Sequence, residues 1–139
     1  MKILTITADP FPDKNIKTHP VHPKDKIRCN VPYYKAEGGG INVPSALKKT
    51  GTGSTALFLP KGWQGNILQQ LLDDENIDQV TIETKLPIHE NLMIHGESTN
   101  QPYHFGFTWL ANKTREREKI LRWTETLKIP PEYIASSET

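Results

Sequence analysis

Three consecutive glycines, Gly38 to Gly40, are the residues whose type and position most directly indicate a site. They run into an apolar spacing within residues 36–50 that suits one face of a short helix. A glycine loop that opens a helix leaves backbone N–H groups unshielded at the positive end of the helix dipole, where an anion or a polar substrate can be held closely. The run therefore predicts a site for a small polar ligand. The alternative is a loop whose glycines only supply positive φ before the helix begins.

Two aspartates follow the first strand-like run of the sequence. Residues 2–7 alternate branched apolar and small polar side chains, and the run stops at Asp9-Pro10-Phe11-Pro12-Asp13, which predicts a strand ending in a turn. In an open α/β sheet the carboxyl end of a strand faces the ligand crevice, so Asp9 and Asp13 are placed to meet a substrate. Asp13 could accept hydrogen bonds from sugar hydroxyls, whereas both residues could equally be turn formers that bond their own backbone.

A His-x-x-His pair, His19 and His22, raises the question of a metal site. Prolines are interleaved with the two histidines, and no matching cysteine or carboxylate pair lies nearby. We therefore expect an extended, exposed loop and no bound metal.

Composition limits the class of protein to which the predicted site can belong. The 139 residues, 35% hydrophobic and 24% charged, are enough for one domain with one core. A net charge of +1 does not indicate a broad basic surface that could bind nucleic acid or an anionic membrane. The single cysteine, Cys29, excludes an internal disulfide and a Cys-rich metal framework. No segment resembles a signal peptide or a membrane span, so a cytoplasmic protein is expected.

The remaining elements alternate in the manner of an α/β fold. Residues 26–34 have the period of a strand with Ile27, Cys29, Val31 and Tyr33 on its buried face, and residues 55–59 predict a buried strand. Pro60 to Gly65 is a second glycine-containing loop, and a helix with an apolar stripe follows it over residues 67–72. Another short strand is predicted at residues 80–83. This order predicts a mostly parallel sheet covered by helices.

A second, smaller sheet is predicted downstream. Residues 91–97 and 101–107 are two strand-like runs separated by Ser-Thr-Asn, which is typical of a hairpin with antiparallel strands. Together with residues 17–34 they could form a sheet that stands apart from the main one, and its scattered histidines are expected to be structural. Residues 113–127 predict a helix, and residues 133–135 begin a further strand.

Five segments match one known family in the same order along the chain: residues 2–7 with Asp13, and residues 26–29, 38–43, 71–76 and 90–92. The glycine run followed by Asn42, placed after a hairpin and before a helix, is a specific signature. On these residues the whole chain resembles the N-terminal half of a ribokinase-type (PfkB-family) carbohydrate kinase, and most closely the 6-phosphofructokinases of that family.

The resemblance implies a fold, a reaction and a set of site residues. The fold would be a Rossmann-like ribokinase-type α/β core, with a small antiparallel β lid formed by strands at approximately residues 16–35 and 90–108. Such kinases transfer the γ-phosphoryl group of Mg-ATP to a sugar-phosphate hydroxyl. By motif match, Asp13, the backbone of Gly38, Gly39 and Gly40, and Asn42 would hold the fructose moiety, and Lys26 would lie near the phosphates. The lid strands would close over the sugar and, in many members, pair two subunits.

The sequence also departs from the family pattern. Glu37 replaces the first glycine of the motif, Pro44 enters the helix, and His89 stands where related enzymes place a phosphate-binding arginine. Histidine is a weaker cation at neutral pH and cannot make a forked pair, so lower phosphate affinity is expected. The family's catalytic Gly-Ala-Gly-Asp motif does not occur in the 139 residues, so this chain alone is expected to lack kinase turnover.

A second class of function stays open at this point. The chain could be a non-catalytic oligomerisation or regulatory module that pairs with itself, or with a full-length kinase, through the lid strands. An incomplete α/β sheet also exposes an edge, so self-association is expected under either hypothesis.

Overall fold

The computed structural model describes residues 1–8, 10–36, 39–85, 90–97, 101–107 and 114–137. Within them the chain forms two four-stranded sheets and three helices. The elements, in chain order, are β1 (Ile3–Thr7), β2 (Asp13–Thr18), β3 (Tyr33–Lys35), α1 (Gly39–Lys49), β4 (Thr55–Phe58), α2 (Gly62–Asp74), β5 (Asp78–Thr81), β6 (Asn91–Gly96), β7 (Tyr103–Phe105), α3 (Thr114–Glu125) and β8 (Tyr133–Ser137).

The main sheet has the strand order β5-β4-β1-β8, and every neighbouring pair is parallel. Parallel strands need crossover connections, and the helices of these connections cover both faces of the sheet. Because β4 is covered on both faces, its residues are almost all apolar. The predicted α/β class with a mostly parallel sheet is confirmed.

Alternating side chains of β1 and β4 divide the core into two layers. Ala56 and Phe58 of β4 pack against apolar side chains of α1 and α2, with Ile41 and Leu68 among them. Leu57 points to the other face, where its cluster contains Leu4, Leu59 and Ile120 of α3. The period of two in the strand thus decides which helix each side chain meets.

The second sheet has the order β3-β2-β6-β7 and is called the lid sheet below. Its two outer pairs are antiparallel, as predicted for the hairpin of β6 and β7. The central pair, β2 with β6, is parallel, so the sheet is mixed and not wholly antiparallel. Since β2 and β6 are far apart in sequence, a crossover through the main core makes this parallel pairing possible.

Three local predictions were wrong. Asp13 does not end a turn but begins β2, because the two prolines before it form an extended entry into the strand. Residues 26–34 do not form one strand, since only β3 pairs fully and Cys29 makes a single bridge to Thr18. Val31, predicted to be buried, is 88% exposed beside Pro32. The predicted loop at residues 60–65 is largely the first turn of α2.

Two further features concern the surface. Strand β8 is at the edge of the main sheet, and its Tyr133 and Ile134 are more than half exposed. The three described helices are 11, 13 and 12 residues long, and none of them is long and apolar enough to cross a bilayer.

Candidate functional site

Asp13 occupies the position where the lid sheet begins. It is the first residue of β2 and is only 4% exposed. Its register partners are Lys35 of β3 on one side and Asn91 of β6 on the other. A carboxylate buried at the start of a central strand is held in place from both sides, which suits a group that must meet a ligand in one orientation.

The pleat of the lid sheet sorts its side chains onto two faces, because residues paired across strands point to the same side. The face that carries Asp13 is called the polar face. Its members are Asp13, Asn15 and Lys17 of β2, Tyr33 and Lys35 of β3, Asn91, Met93 and His95 of β6, and His104 of β7.

Asn15 and His95 form the best-defined contact of the polar face. The Asn15 amide nitrogen Nδ2 donates to the backbone oxygen of Asp13 over 3.0 Å, which leaves Oδ1 as an acceptor. His95 Nε2 lies 3.0 Å from this Oδ1 and therefore donates to it. Asn15 is 2% exposed; its bond to the Asp13 carbonyl is buried and its bond to His95 is partly buried, and together they tie β6 to the backbone of Asp13.

Two lysine side chains of the polar face lie over the ring of Tyr33. The Lys17 and Lys35 ammonium nitrogens each lie over the Tyr33 ring, 5.8 Å from its centroid. An ammonium group is attracted to the negative face of an aromatic ring. The polar face therefore carries concentrated positive charge beside the buried Asp13 carboxylate.

The opposite side of the lid sheet, called the apolar face, has a different character. It carries mainly apolar and aromatic side chains, with Lys14 and Thr18 among them: Lys14, Ile16 and Thr18 of β2, Tyr34 of β3, Leu92 and Ile94 of β6, and Tyr103 and Phe105 of β7. Tyr103 and Phe105 are each 49% exposed. The two faces of the lid sheet therefore differ in character, with buried polar side chains on one and half-exposed aromatic side chains on the other.

Helix α1 begins with Gly39 and Gly40, so the predicted loop glycines are the first helical residues. Gly39 is four residues beyond Lys35, the register partner of Asp13, and an extended chain of four residues spans at most about 14 Å. The positive end of α1 therefore lies within reach of the polar face. Pro44, inside the helix and fully buried, has no N–H to donate to the Gly40 carbonyl, so the first turn lacks one hydrogen bond.

The other predicted site residues are placed differently. Asn42 lies on the exposed side of α1, and Lys26 lies exposed in the loop between β2 and β3. Asp9, Gly38 and His89 fall outside the described residues. Sequence reasoning did not place Asn15, Lys17, Tyr33 and Lys35 on the same face as Asp13. The period-two spacing of 13, 15 and 17 was the available signal, hidden because residues 9–13 were interpreted as a turn.

The histidine pair of the sequence, His19 and His22, bears on metal binding in the described part of the chain. Among those residues, no group of three or more His, Cys, Asp or Glu side chains could hold a metal ion. His19, of the pair considered above, instead contacts Glu97 with an Nδ1 to Oε2 distance of 2.9 Å at the far end of the lid sheet.

Comparison with known proteins shows what the chain is similar to. It is 37% identical over 105 residues to the ATP-dependent 6-phosphofructokinase isozyme 2 of Escherichia coli K12, and 32% identical over 120 residues to that of Mycobacterium tuberculosis. These alignments cover 76% and 86% of this chain, but 34% and 35% of the relatives. The chain thus spans about a third of the length of the curated relatives it matches. No family model matches the sequence.

Solved structures agree with the sequence relationship. Escherichia coli phosphofructokinase-2 in complex with fructose-6-phosphate superposes with a TM-score of 0.85 at 30% identity, over 99% of this chain and 45% of that one. The tetrameric inhibited form of the same enzyme gives a TM-score of 0.85 at 31% identity with the same coverage.

Proposed function

Because this chain is related in sequence and in fold to the ribokinase-type phosphofructokinases, we propose that it is the sugar-binding portion of an ATP-dependent kinase for fructose 6-phosphate or a related sugar phosphate. Mg-ATP is the phosphoryl donor in this proposal. Phosphoryl transfer depends mainly on positioning and on neutralising charge, so a preformed sugar site is a large part of what such an enzyme needs.

The observation that carries the proposal is the buried position of Asp13 at the start of the lid sheet. Its carboxylate can accept hydrogen bonds from two sugar hydroxyls, and the start of α1 offers backbone N–H groups within reach. The proposed binding set is Asp13, Gly38, Gly39, Gly40 and Asn42, with Lys26 and His89 assigned to the phosphate.

The same proposal includes a limit on activity. The 139 residues contain no Gly-Ala-Gly-Asp motif, so no residue of this chain is assigned as the catalytic base. We expect binding of the sugar phosphate without turnover when the 139-residue chain is assayed alone.

A thermal melt with fructose 6-phosphate tests the proposal. A ligand that binds only the folded state at about 100 times its dissociation constant adds roughly 2.7 kcal/mol of stability, which raises the melting temperature by several degrees. Mg-ATP alone serves as the parallel condition, and a coupled assay for ADP checks turnover. A melt unchanged by saturating fructose 6-phosphate would refute the sugar-binding function.

A second function, self-association through the lid, is supported by the aromatic apolar face. Tyr103 and Phe105 are half exposed on one side of a sheet whose other side is polar. Exposed apolar surface of this kind is typical of an interface between proteins. The similar Escherichia coli enzyme has been solved as a tetramer, which favours an assembly of this chain as well.

The association function is tested by the variant Phe105→Lys. If the apolar face pairs two copies, a charge on its edge strand β7 lowers the apparent mass in sedimentation at high protein concentration and weakens any dependence of the melt on concentration. His104→Lys, on the polar face of the same strand, is the control that should leave assembly intact. Identical sedimentation of wild type and Phe105→Lys would exclude the apolar face as the interface.

A further inference from the structure

A cavity lined by α3 and by the segment after β5 carries charged side chains that the proposed sugar site does not use. Its volume is about 650 Å³, which lies within the range of sites for small molecules. None of its described lining residues belongs to the set assigned above to fructose 6-phosphate. These lining residues are Lys85 from the segment after β5, and Arg115, Glu116, Glu118, Lys119 and Arg122 from α3.

The spacing of the α3 residues explains why they meet at one cavity. Arg115, Lys119 and Arg122 are separated by four and then three residues, so one of them recurs at each turn of the helix. Ile120 of the same helix is buried instead, in the cluster that contains Leu4. The charged face of an amphipathic helix is ordinarily only solvated, so the charges alone would not indicate a site.

Glu116 sets this face apart, because its carboxylate is buried. The residue is only 4% exposed, although it lies in the first turn of α3. Its Oε1 accepts a hydrogen bond from Thr84 Oγ1 over 3.1 Å. Its Oε2 is buried and has no hydrogen-bond partner among the residues that the structure describes. Buried polar atoms are nearly always hydrogen-bonded, so this oxygen needs a donor from outside the described residues.

The cations around Glu116 are not neutralised by ion pairs. Within the described ranges, Lys85, Arg115 and Arg122 form no ion pair with a carboxylate. The Lys119 ammonium group donates to the backbone oxygen of Glu83 over 3.0 Å, which fixes its position and leaves its charge in place. Four cations against two carboxylates leave the described lining with a formal charge of +2.

We propose that this cavity binds a small phosphate monoester that carries a hydroxyl group, as a second ligand site separate from the sugar site. A phosphate monoester has nearly two negative charges at neutral pH and accepts hydrogen bonds on three oxygens, so it matches the lining in charge and in donors. Its hydroxyl group donates to Glu116 Oε2. A phosphate ester without a hydroxyl group meets that carboxylate only as one acceptor and one negative charge meet another.

Isothermal titration calorimetry with glycerol 3-phosphate tests the location of the site. The double variant Arg115→Gln/Arg122→Gln should bind glycerol 3-phosphate roughly tenfold more weakly or worse, because charged hydrogen bonds to the phosphate are lost. The matched control is Arg117→Gln/Lys128→Gln, which removes the same charge from exposed positions outside the lining and should bind like wild type. Equal affinities of the two double variants would overturn the proposal.

The role of Glu116 is tested by a comparison of two esters. Wild type should bind glycerol 3-phosphate several-fold more tightly than ethyl phosphate, which has no hydroxyl group. Glu116→Gln should bind ethyl phosphate more tightly than wild type does, since a buried negative charge is removed, and should lose most of the preference for glycerol 3-phosphate. Circular dichroism melts check that the variant is folded. Equal affinities of wild type for the two esters would show that the site does not recognise a hydroxyl group.

The variant Asp13→Asn separates this site from the sugar site. It should bind glycerol 3-phosphate like wild type, because Asp13 does not line the cavity. Loss of glycerol 3-phosphate binding in Asp13→Asn would mean that the ester occupies the sugar site, so the proposal made here would be wrong while the proposed function would stand. A wild-type chain that binds no glycerol 3-phosphate at millimolar concentration would overturn the proposal, whatever the result with fructose 6-phosphate.

Discussion

At the scale of single residues, the candidate site depends on a buried carboxylate. Asp13→Asn keeps the shape of the side chain but removes the charge and replaces one acceptor oxygen by a donor. We expect at least tenfold weaker binding of fructose 6-phosphate in calorimetry, because a charged hydrogen bond is lost. Asp25→Asn, an exposed residue in the loop after β2, should bind like wild type. An Asp13→Asn protein with undiminished affinity would remove Asp13 from the site.

Asn15 and His95 lead to a prediction about stability. Asn15→Ala leaves the His95 N–H and the Asp13 carbonyl without their buried partner, which should cost about 1–3 kcal/mol in urea unfolding. A double-mutant cycle with His95→Ala should show a coupling free energy of about 0.5–1.5 kcal/mol. His104→Ala, exposed on the same face, should change stability by less than about 0.5 kcal/mol. Purely additive effects of Asn15→Ala and His95→Ala would contradict the hydrogen bond.

At the scale of elements, the first turn of α2 depends on close contact between the backbone of Gly65 and Pro60. A Cβ added at Gly65 would lie 2.7 Å from Cβ of Pro60 and 2.8 Å from its carbonyl carbon. Gly65→Ala should therefore destabilise the protein by about 1–3 kcal/mol, measured by urea unfolding. Gly53→Ala is the matched control, because a Cβ there meets nothing within 4 Å. Equal stabilities of the two variants would show that the backbone shifts freely.

The same scale shows how far the sequence predicts the fold and the site. Helices α1, α2 and α3 and strands β1, β4 and β6 were found near their predicted places, because their apolar period is set by the core they face. The start of strand β2 was missed because Pro10 and Pro12 suggested a turn. Its burial comes from pairing with β6, and a partner so distant in sequence leaves no local pattern.

At the scale of the whole molecule, two apolar surfaces are separate. One is the apolar face of the lid with Phe105, and the other is the edge of the main sheet with Tyr133 and Ile134. We expect Phe105→Lys and Ile134→Lys each to lower self-association only in part, and the double variant to sediment as a monomer at all concentrations tested. A single variant that abolishes association completely would show that one surface carries it alone.

The parallel pairing of β2 with β6 has a consequence for the order of folding. Asn15 and His95 are 80 residues apart in the chain, whereas β1 meets β4 and β4 meets β5 over shorter separations. Closing the longer loop costs more chain entropy, so the lid sheet should assemble after β1, β4 and β5 have paired. Strand β8, whose Tyr133 pairs with Ile3 of β1, closes a still longer loop. The Trp63 ring contacts the ring of Tyr34, the middle residue of β3, with 5.9 Å between ring centroids. In a variant with no other tryptophan, the fluorescence of Trp63 would therefore report when the lid sheet assembles. A nascent or damaged chain would then form the part of its core around β1, β4 and β5 before it completes the lid sheet, so the sugar binding proposed above would report completed folding.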